Sequence, residues 1–317
     1  MLAKSLISIT RIKLKFFLIF NFFIIMLILK NDLFYKIHIV FNNFFQLSRK
    51  KILTKKLKIC LCVIGKNENF YAQEYIEYYK KLGYNKIFIY DNNNIDGERF
   101  EDVIKKYIQQ GFVSIINFRG YRGIPQLPSY KDCYEKNNLQ YDWLSFFDMD
   151  EYLELRPKNI TIQKFLSKEV FKKCKNIKIN WIIYQNNNIL YREDKPLNER
   201  RFEMKIPNKH IKSTVRGNLT KNYWINALNP HSSLNITSCS GSGKIINSDS
   251  PFNNPPDISQ AFIKHYQIKS FEELCLKLKR GRADTIVNLT ERIKKFYEQN
   301  KNCTEKMKIM KKIFNIT

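Results

Sequence analysis

Five apolar runs stand out along the chain. The first, Leu14 to Leu29, has fourteen apolar residues in sixteen, interrupted by Lys15 and Asn21. As a helix it would reach about 24 Å at 1.5 Å per residue, and including Ile12 brings it nearer the roughly 30 Å of a bilayer core. Ile59 to Ile64 is shorter, ends at Gly65, and has the pattern of a buried strand. Ile87 to Tyr90, Val113 to Phe118 and Trp143 to Phe147 repeat it. Between them lie helix-like stretches. Tyr71, Tyr75, Ile76 and Tyr79 fall on one stripe of residues 70–82, and Gly83 follows as a stop. Phe100, Val103, Ile104, Tyr107 and Ile108 follow helical spacing across 98–110, with Gly111 beyond. A third helical stretch spans about 127–138.

Strand and helix thus alternate, which predicts a parallel α/β sheet. In such sheets ligands bind beyond the carboxyl ends of the strands. The polar clusters fall there: Lys66-Asn67-Glu68, then Asp91 to Gly97 with Asp96, then Arg119 and Arg122, then Asp148-Met149-Asp150-Glu151. Acids and bases on one sheet edge suit a metal–diphosphate ligand, the acids taking the cation and the arginines the phosphates. Read as extended backbone, Asp148 and Asp150 share a side and can hold one hard cation, Mn²⁺ or Mg²⁺. No G-x-G-x-x-G follows the first strand and no P-loop occurs, which disfavours dehydrogenases and P-loop enzymes. A haloacid-dehalogenase-type phosphatase also places Asp-x-Asp after a strand, but after its first strand and before Gly-Thr.

The net charge is +26. Residues 1–58 hold twelve Lys/Arg against one acid, and the remaining excess is spread widely. No basic cluster with interleaved aromatics marks a nucleic-acid face, so no nucleic-acid partner is expected. Lys4, Arg11, Lys13 and Lys15 precede the first apolar run, which has no small-residue cleavage site after it. The positive-inside rule then predicts a single-pass type II membrane protein, lumen-facing in the Golgi or ER if eukaryotic. The expected organisation is a tail and signal-anchor helix over 1–30, a basic stem over 31–58 and a catalytic domain over 59–317. Six Asn-x-Ser/Thr triplets would be usable only in a secretory lumen. The seven cysteines show no C-x-x-C spacing, so zinc is not expected. Their odd number leaves at least one thiol without an intrachain partner, and Cys60 and Cys62 read as strand core.

Residues 59–97, ICLCVIGKNENFYAQEYIEYYKKLGYNKIFIYDNNNIDG, resemble the opening of family-92 glycosyltransferases and their family-2 relatives. WLSFFDMDEYL, residues 143–153, is similar to that family's metal-binding strand. Trp181 with Asn187, Glu199 with Arg200 to Phe202, Lys212-Ser213 with Val215-Arg216, and His231 also match. So does a closing stretch from His265-Tyr266 through Lys269 to Glu273 and Arg280 to Asp284. The resemblance covers about 59–284. It implies a GT-A fold and an inverting, metal-dependent transferase. Such an enzyme moves a sugar, with galactose a candidate, from a UDP-sugar to a glycan acceptor. Asp91 is carried over as a uridine contact and Asp148 with Asp150 as metal ligands. His265, or else His231, would complete the metal sphere. The general base is left open among Glu151, Glu199 and Glu203, with a slight lean to Glu199. Arg119 or Arg122 would meet the diphosphate, and Trp181 and Trp224 the acceptor. A catalytically silent lectin or scaffold on the same fold is the alternative.

Overall fold

The computed structural model describes residues 18–19, 21, 56–185, 188–200, 202, 204–219, 236–281 and 288–316. The chain divides into two units, Met1–Lys56 and Leu57–Thr317, and the second carries the sheet. Its first half alternates as the periodicity predicts. The elements are β1 (Ile59–Gly65), α1 (Asn69–Leu82), β2 (Lys86–Asp91), α2 (Phe100–Gln109), β3 (Val113–Asn117), α3 (Gln126–Asn137) and β4 (Trp143–Phe146). All seven residues of β1 are buried, as befits an apolar run with partners on both sides.

The order β3-β2-β1-β4 is parallel throughout. Beyond β4 the sheet becomes mixed. β5 (Glu151–Leu155), β6 (Asn176–Gln185), β7 (Met204–Arg216) and β10 (Ala261–Ile268) extend it in the order β4-β7-β6-β10-β5, while the short β8 (Ser238–Ser240) pairs with β6 and β9 (Ile245–Ile246) pairs with β8. β7 is antiparallel to both β4 and β6, β10 is parallel to β6, and β5 closes the edge antiparallel to β10. A fully parallel sheet is therefore not what forms. Polar β7 residues Lys212, Ser213 and Thr214 are buried in it, and Lys212 reaches the Asp148 carboxylate at 2.7 Å.

The two sheet faces carry separate cores. Ile59, Leu61 and Val63 pack with α1 and α2 on one face. Cys60, Cys62 and Ile64 pack with Tyr130, Cys133 and Tyr134 of α3 on the other. Cys60 and Cys62 do share a face, but Cys62 is disulfide-bonded to Cys133, tying β1 to α3. A second disulfide joins Cys174 to Cys239, and Cys60, Cys275 and Cys303 are free. The short α4 (Ile162–Leu166) follows β5; α5 (Phe271–Arg280) and α7 (Thr304–Phe314) share a small core of Phe271, Cys275, Ile309, Met310 and Ile313, next to α6 (Leu289–Asn300). Ser270 caps α5 by accepting the N–H of Glu273, which fixes where the helix begins.

The expectation of a single-pass type II membrane protein is corrected. Among the described residues, no helix is long and apolar enough to cross a membrane. Of the apolar run at 14–29, only Leu18, Ile19 and Asn21 are described, so the expected transmembrane helix lies almost wholly outside the described residues.

Candidate active site

The site is built at the carboxyl end of β4, where the chain does not stay extended. Asp148 to Asp150 form a turn, with the N–H of Glu151 donating to the Asp148 carbonyl at 3.0 Å. β1 ends directly beneath. A Cβ on Gly65 would lie 2.6 Å from the Phe100 ring and 3.1 Å from the Met149 sulfur, so glycine here lets the Phe100 ring pack against the end of β1 beside the turn. Because of the turn, the two aspartates meet different partners. Asp148 Oδ2 accepts from the Lys212 ammonium at 2.7 Å, and its Oδ1 accepts from Gln126 at 2.8 Å and the Tyr130 hydroxyl at 2.9 Å. Asp150 Oδ2 accepts from Lys277 of α5 at 2.6 Å, and its Oδ1 lies 3.7 Å from His265 Nε2 on β10.

Charge balance explains why these groups tolerate burial. Burial alone would raise Asp150, but Lys277, His265 and Lys269 outweigh it and hold the carboxyl well below its usual range. Lys212 is fully buried, which by itself would lower it, yet Asp148 and Glu151 keep its ammonium charged. Glu151 is fully buried too. Its Oε2 accepts the Asp148 N–H at 2.9 Å and lies 3.3 Å from Lys212, while its Oε1 has no hydrogen-bond partner. Burial pushes its carboxyl well up, with the neighbouring aspartates adding to the rise after Lys212 offsets part of it.

A cavity of about 330 Å³ adjoins the turn, lined among others by Asn67, Glu68, Lys269, Lys277 and Arg280. Asn67 sits at φ 54°, its N–H donating to the Asn93 side chain at 2.7 Å. Glu68 is buried and holds Arg280 at 2.6 Å and Lys269 at 3.5 Å. Burial would raise Glu68, but these two cations keep it low.

The loop after β2 is internally satisfied. Asp91 is 1% exposed, and its Oδ1 accepts from the backbone and side chain of Asn93. Its Oδ2 accepts from Arg119 at 2.8 Å. Arg119 donates further to the carbonyls of Ile95, Gly97 and Glu98. Asp96 and Arg122 are exposed. Glu199 is exposed at the end of a 3₁₀ turn, Leu197–Glu199. Its neighbour Arg200 reaches Glu273 of the cavity wall at 3.4 Å. Asn187, Glu203, Trp224 and His231 lie outside the described residues.

The geometry thus brings Asp148, Asp150, Glu151 and His265 together, with Glu68 beside the same cavity. Asp91 and Arg119 are spent on each other. Lys212, Lys277, Gln126 and Tyr130 had no assigned role in the sequence. Lys212 stands next to Ile211 on a buried strand, a position where a lysine needs a buried acid. That context, and its place in a stretch that resembles the family, were the available signals.

The profile of glycosyltransferase family 92 matches residues 55–312. The chain belongs to that family. A family 92 protein of Oryza sativa subsp. japonica is 28% identical over 112 residues, covering 35% of this chain and 18% of that protein. One of Ricinus communis is 30% identical over 101 residues, covering 32% of this chain and 17% of its own length. The matches span less than a fifth of these relatives. Among solved structures, the S. aureus TarS fragment 1–349 overlaps 50% of this chain and 47% of its own at 10% identity and a TM-score of 0.30. At that score the likeness carries no argument about the site.

For this family-92 chain, the residues present offer a divalent cation one close pair of donors. The Asp150 Oδ1 and His265 Nε2 separation of 3.7 Å is a span that two ligands of one ion can bridge. Asp148 is engaged on both oxygens and would join only by releasing one of its present donors. Among the described residues, no three His, Cys, Asp or Glu side chains are already grouped as a metal site.

Proposed function

We propose that residues 59–317 form a GT-A-type glycosyltransferase domain. It moves a sugar from a UDP-sugar to a hydroxyl of a glycan acceptor, with inversion, and uses Mn²⁺ or Mg²⁺. The observation that carries this reading is the Asp148–Asp150 turn at the carboxyl end of β4, with His265 brought to Asp150 and a cation-lined cavity alongside. Asp150 and His265 would hold the ion, with Asp148 as a third ligand. When bound, the ion neutralises charge that develops on the departing diphosphate.

The chain's own residues supply the rest. Glu151 is buried and bonded to the Asp148 N–H, so it fixes the turn rather than meeting an acceptor. Glu199 is exposed, and an exposed carboxylate is the better placed to take the acceptor hydroxyl's proton. Trp181 is half-buried, and the His210 ring stacks parallel on it at 4.9 Å. Phe252 meets His210 edge-on at 4.8 Å, and His265 lies 4.4 Å from Trp181. This aromatic ledge leads away from Asp150 and would carry the acceptor sugar.

The test is donor turnover by the full chain with a panel of UDP-sugars, UDP-galactose included, in MnCl₂ and in EDTA. Turnover should require Mn²⁺ and fall on the order of 100-fold or more in Asp150→Ala, with the circular dichroism spectrum unchanged. Undiminished turnover in EDTA, or in the variant, rejects the metal assignment.

A further inference from the structure

The cavity beside the turn is lined by four cations, Arg192, Lys269, Lys277 and Arg280, against three carboxylates, Glu68, Glu98 and Glu273. Glu68 occupies two of its cations, Arg280 at 2.6 Å and Lys269 at 3.5 Å. Lys277 is committed differently. Its ammonium lies 2.6 Å from Asp150 Oδ2, and its side chain is 37% exposed while that of Asp150 is 8% exposed. The acid is held rigidly, since its own carbonyl accepts the Tyr266 N–H at 2.8 Å. The cation sits on a flexible four-carbon stem that already borders the cavity. Lys277 and Arg280 are three residues apart on α5 and share one face of the helix.

A buried carboxylate needs a positive partner at all times. Lys277 supplies one in the free protein. A divalent cation arriving at the same carboxylate would repel the ammonium from it. A diphosphate brought by that cation would offer the ammonium a new partner within reach of its stem. Arg280 and Lys269, held by Glu68, would stay in place as the positive wall.

Resting on the metal and UDP-sugar reading above, we infer that Lys277 is an exchangeable counter-ion. It neutralises Asp150 in the free protein and moves to the donor's diphosphate when a divalent cation takes the carboxylate. Lys277 is thus both a competitor of the metal and a ligand of the nucleotide. These two roles predict opposite effects from one substitution, which no purely structural role would produce.

The experiment is calorimetric titration of the full chain with MnCl₂ alone, and with UDP at saturating Mn²⁺. Wild type, Lys277→Met, Lys277→Arg and the exposed control Lys301→Gln are compared. Lys277→Met should bind Mn²⁺ alone about tenfold more tightly, because nothing must be displaced, and bind UDP with Mn²⁺ about tenfold more weakly. Lys277→Arg should keep UDP affinity within about threefold of wild type, since the charge and a donor persist. Lys301→Gln should change neither. Unchanged UDP affinity in Lys277→Met overturns the diphosphate role, and unchanged or weaker Mn²⁺ binding overturns the exchange. Absence of Mn²⁺-dependent UDP binding in the wild type would instead reject the functional reading itself, and is visible before any variant is made.

Discussion

His265 Nε2 stands 3.7 Å from Asp150 Oδ1, and the residue after it, Tyr266, donates its N–H to the Asp150 carbonyl at 2.8 Å. The second acid of the turn is therefore held by β10 through both backbone and side chain. The pairing of β10 with β5 sets this, with His265 opposite Glu151. A slip of one residue would turn His265 to the other face of the sheet. The late histidine reaches the early acids because this strand pairing carries it there.

That pairing makes His265→Phe the informative variant. An alanine would also remove the ring that packs 4.4 Å from Trp181. Phenylalanine keeps a ring and removes only the nitrogens. Mn²⁺ affinity in the presence of UDP should fall roughly 10- to 100-fold, while the metal-free Tm shifts by no more than about 3 °C. Wild-type Mn²⁺ affinity in His265→Phe would take the imidazole out of the metal site.

Glu68→Gln tests the cavity wall through stability and its pH dependence. Glu68 is 6% exposed and pairs with Arg280 and Lys269, so neutralising it leaves two cations short of a partner. The expected loss at pH 7 is about 3 kcal/mol by urea denaturation. Its carboxyl is held below the ordinary value in the folded protein. The stabilisation is therefore fully present above the unfolded pKa of about 4.3, and disappears as pH falls through the lower folded value. The gap between wild type and variant should narrow as pH drops below about 4. A gap that widens with acid would contradict the pairing.

The first four strands and three helices were legible because each is local. Ile59 to Ile64 is apolar without interruption, and the stripe through Tyr71, Tyr75 and Tyr79 has helical spacing; both patterns survive folding almost residue for residue. The mixed half of the sheet was not legible. β6 and β7 are long, and buried polar residues such as Asn180, Lys212 and Ser213 break any apolar signature. At the site, the Asp-x-Asp position could be read, but its conformation could not. Alternation assumes an extended chain, and the Asp148–Asp150 turn sends the carboxylates to Lys212 and Lys277 instead. Arg119 was expected at the diphosphate because it follows a strand. In the structure it pairs with Asp91, and that pairing depends on how the 91–97 loop turns back, which is a tertiary fact. Lys277 lies in the last turn of its helix, a position where lysine is favoured anyway, so nothing in the sequence sets it apart.

Lys212→Met is the strictest test of the site's electrostatics. Lys212 is fully buried, 2.7 Å from Asp148 and 3.3 Å from Glu151, and Glu151 is fully buried as well. Methionine keeps the length and volume of the stem, so packing is little changed and the lost charge dominates. Two carboxylates then share a turn with no cation beneath them. The expected cost at pH 7 is about 3–5 kcal/mol. Burial already pushes the Glu151 carboxyl above its usual range with Lys212 beside it, and losing the ammonium pushes it further. For such a group stability is greatest at low pH and is lost as pH rises past the unfolded value. The Lys212→Met defect should therefore be smaller near pH 5 than at pH 8. Adding Glu151→Gln removes one of the two stranded charges. The double variant should recover about 1–3 kcal/mol relative to Lys212→Met alone, a coupling that urea denaturation of all four proteins measures directly. Strict additivity of the two substitutions, with no pH dependence, would mean that Lys212 does not balance Glu151 and that the turn is held by other means.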